Sequence, residues 1–366
     1  MAHDLLITAL QNYLGVEHVV KAGRGSLIIY AALKAWGAGH ARPGLVAVPA
    51  AVCQDVVAAI LMAGYAPIFC DVDPATGLTP MQEWARARAA GASVAIVVHL
   101  YGNPADTESV RAIFPDGLII DDAAQSLGAD TGNGLAGTEG DVGVISFGHT
   151  KHIEIGGAAL IARDPALANA CAQILDRVQP ASVFSVQSAE KTFRAGFEAA
   201  REQLRRSGTP LGFNGLLDGY MPTLRAAWNP AWSNPIARAL QDYPRQLEKR
   251  HIKAEMWRRS IVGTPLIPIG MGSRSAPWRY TCRLPGIAWS EQYRLGQALR
   301  DKGLHVSHWY LPAHWLLGDS AGSLPGVERL AQEVFQFWLD DATALSVIDC
   351  AKPILEKTFN ITGDVQ

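Results

Sequence analysis

Apolar positions along the first 165 residues switch repeatedly between a helical period and short continuous runs, and each switch marks an element. Leu5, Leu6, Ala9, Leu10, Tyr13 and Leu14 recur at helical spacing behind Asp4, a side chain suited to an N-cap, and Gly15 ends the run. A short strand is expected over residues 17–20 and a helix over 27–36, closed by Gly37. Residues 45–49 read as a strand, 55–63 as its following helix stopped by Gly64, and 67–72 as another strand before a turn at 73–77. A helix over 81–89 leads into 94–100, which is apolar at nearly every position, as a parallel strand buried on both faces requires. A helix over 106–114 and strands over 118–120, 142–147 and 158–162 complete the set. Strand and helix in such regular alternation predict an α/β domain with a doubly wound, mostly parallel sheet, and a site at the carboxyl ends of its strands.

Beyond residue 163 the pattern weakens. Helices are expected over 165–178 and 188–206, and turn residues accumulate over 211–222. The run Asn229-Pro230-Ala231-Trp232-Ser233-Asn234-Pro235 places two prolines and two asparagines in seven residues, which interrupts a helix. It divides the chain into a large domain, residues 1–235, and a smaller α+β domain, residues 236–366. In the second part a long helix over 236–260 precedes a Pro- and Gly-containing loop over 263–277. A strand over 278–284, a helix over 290–302, a strand over 303–309 and a final helix over 327–338 follow. No internal repeat or low-complexity segment is visible.

Composition narrows the partners. At 366 residues with 49% hydrophobic residues, the chain is long enough for one large core and one smaller one. The formal net charge is −2, the pI is near 6.6, and no run of Lys or Arg stands out, so the sequence carries no electrostatic footprint for nucleic acid. Cys53, Cys70, Cys171, Cys282 and Cys350 are odd in number, widely spaced and without a Cys-x-x-Cys pair, and read as reduced thiols. Met1-Ala2-His3-Asp4 lacks a basic leader, and no apolar run approaches the ~20 residues that span a bilayer. A cytoplasmic enzyme with no membrane partner is the expectation.

The chemistry converges on Ser146-Phe147-Gly148-His149-Thr150-Lys151-His152, between a strand and the Gly156-Gly157 turn. A lysine just past a buried strand can be desolvated and held near a carbonyl, as a Schiff-base lysine needs, which makes Lys151 the first candidate. Upstream, the apolar strand at 118–120 ends in Asp121 and Asp122, and a pyridinium nitrogen requires such an acid as its partner. Earlier still, Gly23, Arg24, Gly25 and Ser26 open a helix whose free N–H groups suit a phosphate. A dinucleotide fingerprint is excluded because Ile28 stands at its third glycine. His149 and His152 flank the lysine, and His305, His308 and His314 form a second group. Neither has the spacing of a zinc site, so no metal is expected.

In this order the stretches resemble the DegT/DnrJ/EryC1/StrS family, the sugar branch of fold type I aminotransferases dependent on pyridoxal 5'-phosphate. The resemblance rests on SFGHTKHIEIGG around Lys151, Asp122-Ala123-Ala124-Gln125, HLYGNPAD at residues 99–106 and AGYAPIFCDVDPATG at residues 63–77. It implies that Lys151 holds the cofactor and moves the proton, that Asp122 rather than Asp121 partners the ring nitrogen, and that Gln125 reaches the ring or its O3' oxygen. It places Ser146 at the phosphate beside the Gly23–Ser26 turn. It also implies a homodimer, with amino transfer from glutamate or glutamine to a keto sugar or related metabolite. Where the family stacks an aromatic on the ring this chain has Cys53, and the family's Asn-Tyr-Arg stretch is replaced over residues 219–225. His149 and His152 are placed near the substrate, and Trp309 and His314 either face it or pack the small domain. Two alternatives stay open: elimination, decarboxylation or condensation with the same cofactor, and a non-catalytic protein of this fold.

Overall fold

The computed structural model describes residues 4–39 and 44–360. The first part holds α1 (Leu5–Leu14), whose N-cap Asp4 accepts from the Leu6 and Ile7 N–H groups and whose C-cap Gly15 is left-handed. It continues through β1 (His18–Ala22), α2 (Gly25–Ala38), β2 (Leu45–Pro49), α3 (Gln54–Met62), β3 (Ala66–Cys70), α4 (Met81–Ala89), β4 (Ala92–Val98), α5 (Thr107–Ile113) and β5 (Leu118–Asp122). After β6 (Val142–Ser146) and β7 (Ala158–Ala162), helices α6 (Pro165–Arg177) and α7 (Val183–Ser207) close this part.

These seven strands form one sheet in the order β1-β7-β6-β5-β4-β2-β3. β3, β2, β4, β5 and β6 run parallel to one another, while β7 is antiparallel to both β6 and β1. Alternation along each strand sends side chains to two different layers. Val94, Ile96, Leu118, Ile120, Val142 and Val144 meet the helices α2 and α3 in one cluster. Ala95, Val97 and Ile119 meet α4 and α5 on the other face, where Ile145, Ala159 and Ile161 join α1. The hydrophobic runs read from the sequence are thus strands covered on both sides.

The second part starts with α8 (Ser233–Ser260), which begins inside the predicted Pro/Asn interruption and carries Pro244 in its interior. Its first half, through Ile236, Ala237, Leu240 and Tyr243, packs with α1 on the large sheet. Its second half, through Ala254 and Trp257, enters a separate core. There β8 (Ile267–Pro268), β9 (Tyr280–Arg283), α9 (Trp289–Asp301), β10 (Val306–Ser307), α10 (Pro325–Glu333), β11 (Val334–Phe337), α11 (Leu345–Asp349) and α12 (Ala351–Asn360) follow. The four strands form an antiparallel sheet ordered β10-β11-β9-β8.

The expected helix over 327–338 is corrected here. It ends at Glu333, and Val334-Phe335-Gln336-Phe337 becomes a fully buried strand between β9 and β10. Two aromatics and a β-branched residue in four positions favour a pleated surface, and the pairing on both sides decides it. The strand expected over 303–309 shrinks to two residues, and the loop over 263–277 contains the two-residue β8.

Candidate active site

β5 delivers two adjacent carboxylates to opposite faces. Asp122 follows Leu118 and Ile120 toward α2 and α3, is 5% exposed, and lines a cavity of about 550 Å³ at the carboxyl ends of β5 and β6. Its Oδ1 accepts from the Ala124 N–H at 2.9 Å. Burial raises its pKa, while that N–H and the Lys151 ammonium oppose the shift. Asp121 turns the other way: its Oδ1 lies 2.5 Å from His99 Nε2 and its Oδ2 accepts from the Gly137, Glu139 and Gly140 N–H groups. Because the Ala105 N–H donates to His99 Nδ1, the His99 proton sits on Nε2 and is donated to Asp121. Asp121 is thereby committed to holding the 137–140 turn, and only Asp122 faces the cavity.

The opposite wall is the start of α2. Its N-cap Arg24 makes no side-chain cap, so the first N–H groups of the helix open onto the cavity. Ser26 Oγ is buried there without a partner, and Ser146 lines the same cavity from the end of β6. Gly23 must be glycine, since a Cβ would stand 1.9 Å from the Ala226 carbonyl oxygen. Uncapped amides, an orphaned hydroxyl and a second serine make a cradle suited to a phosphate. Arg24 is held beside it rather than free: Nη2 binds Asp55 at 2.6 Å and Nη1 donates to the Thr223 carbonyl at 2.9 Å. The Tyr220 hydroxyl donates to the other Asp55 oxygen at 2.5 Å. Residues 219–225 therefore pack against this chain's own Gly23–Ser26 turn, through Tyr220 and through Asp55, which the sequence did not single out.

Lys151 sits in a loop whose ends are pinned to Phe147. The Phe147 N–H donates to the Gly157 carbonyl, and the Ile155 and Gly156 N–H groups donate back to the Phe147 carbonyl. Gly156 and Gly157 both have positive φ, and a Cβ on either would enter the Trp232 or Trp228 ring. Directly before the lysine, Thr150 holds φ +65°, a left-handed conformation disfavoured for a β-branched residue. Its carbonyl accepts from the Trp278 indole N–H at 2.5 Å, which fixes that turn from 128 residues further along the chain. The Lys151 side chain lines the cavity and has no hydrogen bond or ion pair among the described residues. A strained backbone position thus stands directly before an unpaired amine that shares its cavity with a buried carboxylate.

The remaining candidates separate. Cys53 and His149 line the cavity; His149 is largely exposed and its Nδ1 meets Glu154. Gln125 does not line it. Its Oε1 accepts from the Tyr101 N–H and its Nε2 donates to the Tyr310 hydroxyl, bracing a wall in which Tyr101 stacks on Trp278. His152 points away into the α8 contact, 2.5 Å from the Tyr243 hydroxyl, which donates onward to the Leu127 carbonyl. Trp309 belongs to an aromatic cluster with Phe197, Phe213 and Trp289, and His314 is buried against Glu328 and Trp315. Glu190 from α7 and Trp232 complete the cavity rim. They stand about 40 and 80 residues beyond Lys151, and only the folded chain brings them there. Among the described residues no group of His, Cys, Asp and Glu is arranged to hold a metal ion.

A sequence model of the DegT/DnrJ/EryC1/StrS aminotransferase family matches residues 3–334. A pleiotropic regulatory protein of Geobacillus stearothermophilus is 28% identical over 337 residues, covering 88% of this chain and 79% of that one. A dTDP-3-amino-3,4,6-trideoxy-alpha-D-glucose transaminase of Micromonospora megalomicea subsp. nigra is 27% identical over 340 residues, covering 90% and 82%. The fold is shared with a protein of Streptococcus pneumoniae, solved in its PLP form, at a TM-score of 0.74 and 18% identity over 96% of this chain and 91% of that one.

Proposed function

Because the chain belongs to the DegT/DnrJ/EryC1/StrS aminotransferase family, we propose that it binds pyridoxal 5'-phosphate at Lys151 and transfers an amino group from an amino-acid donor, glutamate or glutamine, to a keto sugar. The observation that carries the reading is one cavity receiving the unpaired Lys151, the buried Asp122 and the uncapped start of α2. When bound, the cofactor supplies an electron sink and a carbonyl carbon that takes and returns the amino group. The α2 amides with Ser26 and Ser146 bind its phosphate, and Asp122 holds a proton at its ring nitrogen. Lys151 anchors it and then moves the proton at the donor's Cα. Arg24, neutralised by Asp55, stiffens the cradle without adding net charge.

The relative from Micromonospora supports a keto-sugar acceptor. Val183 and Phe184 on α7 are 72% and 81% exposed beside the Glu190 rim, which supports a homodimer that covers this face. All five cysteines are free thiols, and among the described residues no helix is long and apolar enough to cross a membrane; the thiols support a cytoplasmic setting. The test is borohydride reduction of the cofactor-loaded protein followed by peptide mapping, which should find the label on Lys151. In parallel, a donor amino acid alone should discharge the cofactor's carbonyl absorbance with one keto acid released per site. Unchanged absorbance with release of ammonia or carbon dioxide replaces amino transfer by elimination or decarboxylation.

A further inference from the structure

A second cavity, of about 540 Å³, shares no lining residue with the one that receives Lys151. The end of α7, the first turn of α9, the 313–323 segment and α10 enclose it. The chain reaches it directly from the cofactor wall. Tyr310 meets Gln125, the Ala313 N–H donates to the Ala50 carbonyl at 2.8 Å, and the next two residues, His314 and Trp315, line the second cavity. Trp315 and Trp289 form its apolar corner, with ring centres 6.0 Å apart and planes inclined at 60°. Rings so close and so inclined leave no slot for a flat base to stack between them, whereas a puckered ring can rest its C–H groups against both.

The polar groups of this cavity are mostly acceptors, because their donors are engaged elsewhere. Glu328 Oε1 accepts from the Leu324 N–H at 3.0 Å and from the Ser323 hydroxyl at 3.3 Å, and it lies 3.0 Å from His314 Nε2. A carboxylate oxygen only accepts, so the His314 proton sits on Nε2 and Nδ1 is a bare acceptor. His314 is 2% exposed, and that Nδ1 has no partner. Glu328 Oε2 keeps one long contact among the described residues, from the Ser323 hydroxyl at 3.4 Å. Gln332 gives its Nε2–H to the Ile287 carbonyl, which leaves Oε1 to accept. Among the described residues no Lys or Arg lines the cavity, so a phosphate or carboxylate would enter without a counter-charge and against Glu328.

We infer that this cavity is a second ligand site, for a hydroxylated saturated ring that carries an ammonium group, an amino sugar or amino cyclitol. Glu328 Oε2 takes the ammonium, the indole corner takes the ring, and hydroxyl donors meet His314 and Gln332. Asn214, exposed at the mouth and packed on Gly318, offers both a donor and an acceptor to the ligand's outer edge. Such a ring belongs to the chemical class that amino transfer to a keto sugar produces. Binding itself does not depend on that reading, since none of the residues involved lines the Lys151 cavity.

The probe is D-glucosamine, titrated by calorimetry into cofactor-loaded protein that has been reduced with borohydride, so that no amine can exchange at Lys151. D-Glucose, with a hydroxyl in place of the ammonium, is the neutral reference and should bind about tenfold more weakly. Glu328→Gln keeps the shape and can still accept from His314. It should weaken glucosamine about tenfold, leave glucose nearly unchanged and move the Tm little. Leu211 lines the mouth and is 62% exposed, so Leu211→Arg adds a cation there without disturbing a core, and it serves if the glutamine variant does not fold. It should also weaken glucosamine more than glucose. Absence of glucosamine binding in the wild type overturns the inference, as does equal binding of glucosamine and glucose. Unchanged glucosamine affinity in either variant overturns it too, because the ligand then sits elsewhere, and so does displacement of glucosamine by inorganic phosphate. The two readings fail separately. Glu328-dependent glucosamine binding in a protein that transfers no amino group sinks the aminotransferase and leaves this site, whereas amino transfer with unchanged glucosamine binding in the variants does the reverse.

Discussion

At Asp122 burial raises the carboxyl's pKa, and the Ala124 N–H and the Lys151 ammonium resist it. A cation brought to that oxygen, such as a protonated ring nitrogen, would relieve the same desolvation and hold the carboxylate ionised. Asp122→Asn removes the charge, keeps the shape and leaves the α2 cradle untouched. Amino transfer should fall by about 100-fold or more while the cofactor stays bound, measured by stopped-flow absorbance on the loaded variant. A drop of less than threefold would reassign the ring partner. The choice between Asp121 and Asp122 was legible in the sequence only through the family's register, although the alternation of β5 settles which face each takes. Gln125 was not legible in this way. Its partners, the Tyr101 N–H and Tyr310, depend on a strained turn at Tyr101, φ +60°, and on a residue 185 positions further along.

At the level of elements, the first seven strands announced themselves because the central ones are buried along nearly their whole length and all are bounded by turn residues. β8 and β10 have two residues each, too few to establish any period, and β11 follows α10 without a break. A helical pattern therefore ran on through Val334–Phe337, and only pairing with β9 and β10 revealed the strand. The start of α2 was legible by its glycines, yet the reason for Gly23 lies 200 residues away. A Cβ there would meet the Ala226 carbonyl oxygen at 1.9 Å, and a Cβ fixed to its own backbone cannot turn away from a backbone carbonyl. Gly23→Ala must therefore push the 226–228 segment off the cradle, costing at least about 2 kcal/mol and weakening cofactor binding together. Gly15→Ala is the control: it meets nothing within 4 Å but has φ +68°, so it should cost only about 1 kcal/mol and leave the cofactor in place. Urea melts and cofactor titrations of the two variants test this; equal losses in both would remove the steric argument.

At the scale of the described molecule, the long helix α8 ties separate cores together, contributing Tyr243 to one and Trp257 to another. Histidines buried without charge lie across this frame. His152 sits against Tyr243, where burial, and then Arg250 and Lys151, push its pKa well below the ordinary value. His308 accepts from Arg300 beside Gly296; burial, and then Arg300, Arg201 and Arg205, lower it to about 3. His314 is lowered by burial, with Glu328 opposing. In each case the unfolded chain takes up the proton first as pH falls, so stability is complete above about 6.5 and is lost below it. Every histidine still neutral in the fold removes up to about 1.4 kcal/mol per pH unit. Urea unfolding of the cofactor-free protein at pH 8, 7, 6 and 5 should show a plateau and then a steepening decline, well above the range where carboxylates begin to titrate. His308→Gln should flatten that decline by up to about 1.4 kcal/mol per pH unit, even if it lowers the plateau, because the glutamine cannot take the proton that the unfolded histidine takes. A variant whose stability falls with the same slope as the wild type would mean that His308 is protonated in the native fold, against the three arginines that face it.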